Sequence, residues 1–391
     1  MLHTKNNRWD IFCKIVDNYG DIGVCWRLSQ QLAHEHNLTI RLLINDMASA
    51  KKIIPSLDIS KQSQLINGVE VCAWPSLKNT DTTDVADVVL ETFSCTLPEF
   101  YLQKMVQQDS IWINLEYLSA EKWVSDFHAK PSPHVTLAIT KHYFFPGFKD
   151  DTGGLIRERK LITEHNIFTN SQEKQFQFWQ KIGICSANDL TVDTVKISLF
   201  CYAEANISGL IESLVATNKC IKLFIPLNSS IATSLENLVD IQQHNLNEIH
   251  RGNLTIHLLP FLSQADYDCL LWACDLNFVR GEDSWIRAIW AEKPFIWQPY
   301  IQTDETHILK LKAFLDLYLN AVTSEVSALI NESQLAWSSA NTTTKMPIKH
   351  LIEQLPAVQN YAKRASMALT QQPDLATKLV IFSENLAKNK V

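Results

Sequence analysis

The residues Asp17-Asn18-Tyr19-Gly20-Asp21-Ile22-Gly23 place two carboxylates and two glycines directly after the apolar run Ile11–Val16. In an open α/β sheet, loops at the carboxyl ends of strands face the ligand crevice, so Asp17 and Asp21 stand where substrate chemistry would be done. The chain has only 10 glycines in 391 residues, yet Gly20 and Gly23 fall in this one stretch. Such clustering points to a positive φ or a close backbone approach. The same residues also fit a tight turn in which Asp bonds locally and caps a helix beginning near Val24.

A second run, Leu276 to Ala288, repeats the logic with different chemistry: a buried strand, a turn at Gly281, and a helix whose first turn is acidic and hydroxylated. The amides and dipole of a helix N-terminus make a ready anion site, and a diphosphate fits there. Glu282 and Asp283 would repel phosphate oxygens, so their amides are the better phosphate donors and their side chains suit hydroxyl groups. Arg280 can add a compensating charge, with Ser284 on the same loop. An ordinary N-cap with dipole-favourable acids is the alternative. Phe200, Tyr202, Phe261, Gln264, Tyr267 and Tyr300 lie at other strand ends of this half, where π-faces and hydrogen-bonding groups could hold a base. Taken singly they also read as core or rim aromatics. Asp266-Tyr267-Asp268 has the spacing of an Asp-x-Asp metal motif, but on a helix i and i+2 diverge, so no metal is expected. Dinucleotide and P-loop signatures are both missing from the sequence.

These residues need a scaffold, and the pattern of apolar runs supplies one. Strand-like runs at Ile11–Val16, Thr39–Ile44, Val69–Trp74, Val85–Leu90, Ser110–Leu115 and Val135–Ile139 alternate with helical patterns, which predicts βαβ units and a parallel sheet. Turn signals occupy Phe145–Phe148 and Asp151–Gly154, and Phe176–Trp179 suggests a connecting helix. A second alternating series covers Val195–Tyr202, Ile221–Leu227, Leu254–Leu259, Asp275–Val279 and Phe295–Trp297. The expected fold is therefore α/β, two doubly wound Rossmann-like domains facing across a cleft, residues 1–190 and 191–367. The tail from about Ala357 to Lys388 reads as helices only and could complete the second domain or cross back to the first, and its last helix, about 368–391, is expected to brace the first.

Composition narrows the function classes. With 35 basic against 42 acidic residues and no Lys/Arg tract, the chain does not read as a general nucleic-acid binder. Apolar runs are strand-length, too short to span a membrane. The first residues carry no apolar signal core, so a cytoplasmic location is expected. The 9 cysteines sit mostly inside apolar runs and read as reduced, buried thiols. His34 and His36 are two apart on a helix end and do not form a zinc pair.

Three stretches together carry a resemblance: Asp17 to Leu28, Arg280 to Ser284, and Ala291-Glu292-Lys293-Pro294-Phe295-Ile296-Trp297. Over nearly its whole length the sequence resembles the elongation factor P arginine rhamnosyltransferases, the EarP family, which have the GT-B fold. The resemblance implies transfer of L-rhamnose from dTDP-β-L-rhamnose to a guanidine nitrogen of one arginine on elongation factor P, with inversion and without a metal or other cofactor. Asp21 then matches the proposed general base, Asp17 a second essential aspartate, and Glu282 the donor-side glutamate. Asn18, Tyr19, Gly20 and Gly23 fall in the same substrate loop as the aspartates. Arg280, Gly281, Asp283 and Ser284 fall on the diphosphate-and-ribose loop; Phe200, Tyr202, Phe261, Gln264, Tyr267 and Tyr300 fall on the nucleotide pocket, although the family can carry Phe where Tyr267 stands. The partner implied is the folded N-terminal domain of elongation factor P, with no nucleic acid or membrane. Two other readings remain open: a different GT-B enzyme, such as an epimerase or a lipid or saccharide transferase, and a non-catalytic nucleotide-sugar-binding regulator.

Overall fold

A computed structural model describes residues 7–16, 19–74, 84–184, 193–226, 248–301, 305–319, 324–339 and 346–389. The chain divides into two compact units, Met1–Arg159 with Gln371–Val391, and Lys160–Thr370.

In the first unit the described strands are β1 (Arg8–Cys13), β2 (Thr39–Ile44), β3 (Ser63–Ile66), β4 (Val69–Ala73), β5 (Val88–Thr92), β6 (Ile111–Leu115), β7 (Pro131–Pro133) and β8 (Thr140–Phe144). They form one sheet in the order β3-β4-β2-β1-β5-β6-β8-β7. The six central strands are parallel, while β3 and β7 pair antiparallel at the two edges. Every residue of β5 and β6 is buried, as expected for strands covered on both faces. One polar residue is built into β1. Asp10 takes Arg41 in a two-pronged pair at 2.6 and 2.7 Å, the Ala86 amide at 3.0 Å, and the Tyr101 hydroxyl.

The expected strand at Val135–Ile139 is instead a chain reversal, and the strand starts at Thr140. His134 Nδ1 accepts the amides of Thr136 and Leu137, and the His134 amide donates to the Ile139 carbonyl. Leu137 and Ile139 still pack on the core, which is why their apolar character mimics a strand.

The second unit contains β9 (Thr194–Leu199), β10 (Cys220–Pro226), β11 (Glu248–Arg251), β12 (Leu254–Leu259), β13 (Leu276–Arg280) and β14 (Phe295–Gln298). Their order is β11-β12-β10-β9-β13-β14, parallel except for the β11 edge. In both sheets the chain winds outward from one strand, then returns to that strand's other side. These reversals fall at β1/β5 and β9/β13, and a doubly wound sheet opens its ligand crevice at such a point.

The units divide at residue 160 rather than near 190, because the helices Leu161–Thr169 and Gln172–Lys181 pack into the second unit. His165 and Phe168 meet Trp272 at 5.5 and 5.6 Å between ring centres, and Trp179 meets Phe224 at 4.6 Å. The last described helix, Leu375–Lys388, belongs to the first unit. Gln31 donates to Asp374 at 3.0 Å, the Leu375 amide to the Leu155 carbonyl at 2.9 Å, and Lys378 Nζ to the carbonyls of Asp150 and Thr152. No helix among the described residues is long and apolar enough to cross a membrane.

Candidate functional site

At the β1/β5 reversal, helix α1 runs from Gly20 to His36 with Tyr19 at its N-cap. It begins four residues before the expected start at Val24, so Gly20 and Gly23 lie in its first turn with helical backbone and do not supply a left-handed turn. Gly23 donates to the Tyr19 carbonyl at 2.9 Å, and the Tyr19 hydroxyl receives Lys52 Nζ at 3.4 Å. Asp17 and Asn18 lie outside the described residues.

Asp21 is buried in that first turn, and its two oxygens are held from different sides. The Val16 amide donates to Oδ2 at 2.7 Å and the Tyr117 hydroxyl to Oδ1 at 3.2 Å. These two contacts fix the orientation of the carboxylate. Behind it lies the thiol of Cys13. A hydrogen bond with the Cys25 thiol raises its pKa well above the usual value, and burial and the Asp21 charge add to the rise. Cys25 in turn donates to the Thr92 hydroxyl at 3.4 Å. These thiols are buried packing groups, as the sequence suggests.

The β9/β13 reversal carries the second constellation. The chain leaves β13 at Arg280 and turns at Gly281, whose φ of +61° lies in the left-handed region that glycine adopts without strain. Helix Asp283–Trp290 follows, with Glu282 at its N-cap. Ser284 closes the turn by accepting the Arg280 amide at 3.0 Å and donating to the Arg280 carbonyl. Trp297 fastens the turn from β14, donating its indole N–H to the Gly281 carbonyl at 2.7 Å while stacking on Trp285 at 3.6 Å.

The Arg280 guanidinium lies 4.4 Å from the ring centre of Phe200 and 4.5 Å from that of Tyr202, and it donates to the Cys201 carbonyl at 3.2 Å. Tyr267 sits edge-on to Phe200, and Tyr300 edge-on to Tyr202. Burial pushes the Tyr267 hydroxyl pKa well above its usual range, so it stays neutral. Gln264 reaches Asp283 Oδ2 at 3.3 Å. The structure thus gathers Phe200, Tyr202, Tyr267, Arg280 and Tyr300 into one contact chain and joins Gln264 to the helix N-terminus. Phe261 stands on the preceding loop with 45 % of its surface exposed.

Asp266 and Asp268 have separate partners. Asp266 takes Lys181 at 2.6 Å and the Ser263 hydroxyl at 2.7 Å, whereas Asp268 takes both Nε and Nη2 of Arg287, at 2.8 and 2.7 Å. Sequence reasoning gave no site role to Trp297, which it had only as the end of the stretch Ala291–Trp297, and did not find Tyr117 or Gln298, whose side chain accepts the Tyr202 amide at 2.9 Å. Their common signal is position, at or just past the ends of β6 and β14.

Residues 9–384 match the family described as elongation factor P (EF-P) rhamnosyltransferase EarP. The chain belongs to that family. It is 39 % identical over 377 residues to the protein-arginine rhamnosyltransferase of Pseudomonas aeruginosa, covering 96 % of this chain and 98 % of the relative. Its identity to the enzyme of the same name from Shewanella oneidensis is 38 % over 404 residues, 97 % and 99 % of the two chains. Among solved structures, one described as the structural basis for EarP-mediated arginine glycosylation of translation elongation factor EF-P aligns with a TM-score of 0.67 at 30 % identity, over 97 % of this chain and 99 % of that one. HepE of Anabaena, solved with UDP and glucose, aligns with a TM-score of 0.53 at 11 % identity over 97 % and 99 % of the chains, a likeness of fold alone. The EarP member is thus a glycosyltransferase of the GT-B class, built on two doubly wound sheets.

Proposed function

We propose that this EarP-family enzyme transfers L-rhamnose from dTDP-β-L-rhamnose to a guanidine nitrogen of an arginine on elongation factor P, with inversion at the anomeric carbon and without a metal ion. The carrying observation is a family match over residues 9–384 whose motif residue Asp21 is buried, held at both oxygens, and placed at the β1/β5 reversal.

An arginine side chain is a poor nucleophile because its pKa lies above about 12. A carboxylate that accepts hydrogen bonds from it can localise its electrons and take one proton as the C–N bond forms. Asp21 has this role in the proposal, with Asp17 as the second carboxylate by its match to the family motif. As the nitrogen attacks the anomeric carbon, the bond to the diphosphate oxygen breaks and dTDP departs with the electron pair. The amides at the N-terminus of helix Asp283–Trp290 receive the developing charge, assisted by Arg280. Glu282 and Asp283 meet sugar hydroxyls.

Incubation with elongation factor P, dTDP-β-L-rhamnose and EDTA should add one deoxyhexose to the intact mass of the acceptor. An unchanged mass without EDTA would reject the acceptor or the donor; a gain that appears only when a divalent metal is restored would reject the metal-free step.

Phe261 is proposed as a stacking surface for the thymine, which explains a large ring left exposed beside Gln264. Phe261→Ala should weaken dTDP binding by about 1–3 kcal/mol, the range of base–aromatic contacts. Calorimetry on the folded variant checks this, and unchanged affinity would remove the ring from the pocket.

A further inference from the structure

The loop after β5 holds an unexplained strain. Phe93, Ser94 and Thr96 all have left-handed backbone, with φ of 55°, 52° and 61°, a conformation that costs a non-glycine residue of the order of 1–3 kcal/mol. The surroundings hold it in place. The Phe93 amide donates to the Leu115 carbonyl at 2.7 Å, Ser94 Oγ to Glu116 at 2.8 Å, and the Thr96 amide to Glu91 at 3.0 Å. What the strained loop presents is the Phe93 ring, stacked on Tyr117 with centres 4.2 Å apart and planes 11° from parallel. Tyr117 is 39 % exposed and its hydroxyl reaches Asp21. An aromatic pair is therefore held beside the buried carboxylate by backbone that glycine would adopt more easily.

We propose that Phe93 and Tyr117 form the seat for the acceptor's arginine side chain, a subsite that selects a planar, delocalised cation for presentation to Asp21. The inference rests on the reading of Asp21 as the base. Guanidinium is flat and weakly hydrated, so it can lie on an aromatic face while its edge N–H groups donate to a carboxylate. A lysine ammonium is compact and strongly hydrated, and it gains less from the ring. Tyr117 has a second task. Its hydroxyl fixes Oδ1 of Asp21 while the Val16 amide fixes Oδ2, so the carboxylate is held in one orientation beside the aromatic pair.

Three variants separate these tasks. Tyr117→Leu and Phe93→Gly should each raise the KM for intact elongation factor P by about 3- to 30-fold, the range of cation–π contacts, with the KM for dTDP-rhamnose unchanged. Phe93→Gly should also keep or raise the thermal midpoint, because glycine relieves the left-handed backbone; a merely structural ring would lower it. Tyr117→Phe should retain the acceptor KM and lose kcat. Calorimetric titration of N-acetyl-L-arginine amide onto the dTDP-bound enzyme gives a readout independent of transfer, and both ring-removing variants should weaken it. Ring-dependent binding in an enzyme that transfers no rhamnose would keep the seat and reject the reaction. No binding of the arginine amide to the unaltered enzyme, binding indifferent to both rings, or an equal shift in donor KM would overturn the seat.

Discussion

Asp21→Asn should cut rhamnosyl transfer by about 10²–10⁴-fold, the contribution of a positioned general base, while dTDP affinity holds. The amide side chain can keep its place. Its oxygen can accept the Val16 amide, now at 2.7 Å from Oδ2, and its nitrogen can face the Tyr117 hydroxyl, which reverses from donor to acceptor. Shape and packing then survive and only the proton acceptor is lost. Turnover by acceptor mass and dTDP binding by calorimetry should be measured on one preparation. Near-normal turnover would remove Asp21 from the base role.

A large loss of stability is expected from Arg287→Met. Arg287 and Asp268 are both buried and joined by two short bonds. Removing one partner of such a pair strands the other charge in the core, at about 3–5 kcal/mol. The pair ties helix Gln264–Ala273, which carries Gln264 and Tyr267, to helix Asp283–Trp290. Weaker dTDP binding should therefore accompany the lower urea midpoint. The double variant Arg287→Met, Asp268→Leu should recover most of the stability, since it leaves no unpaired charge. A single-variant loss below about 1 kcal/mol would show that water reaches the site and screens the stranded carboxylate.

Much of the scaffold is legible because local chemistry dictates it. Apolar runs such as Val85–Leu90 and Asp275–Val279 read as buried strands and overlap the strands Val88–Thr92 and Leu276–Arg280, and Gly281 marks a turn that the backbone indeed makes with positive φ. The reading failed where long-range pairing decides. The antiparallel edges β3, β7 and β11 are short and half-exposed, so they lack the hydrophobic signature of the central strands. Leu137 and Ile139 are apolar for the core's sake while the chain there is reversing. The early start of helix α1 is not legible because Tyr19, a weak capping residue that makes no side-chain cap bond, stands where Ser or Asp would announce a helix. At the candidate site the motif residues were visible, but not what holds them. Tyr117 lies 96 residues beyond Asp21, and nothing in its own neighbourhood marks it as that carboxylate's partner.

The return of helix Leu375–Lys388 to the first unit bears on how the protein is made. Ribosomal synthesis proceeds from the N-terminus, and in most multidomain chains the first domain to emerge is the first to finish folding. Here the first unit is split in sequence. Lys160–Thr370 is contiguous and can consolidate once its last residues clear the exit tunnel, whereas the unit bearing Asp21 still lacks helix Leu375–Lys388 at that moment. Until then Gln31 lacks Asp374, and the carbonyls of Asp150, Thr152 and Leu155 lack the donors that the helix supplies. A nascent chain interrupted before residue 371 would hold a nearly complete second unit and an unfinished first unit, exposed to proteases and chaperones for as long as translation pauses.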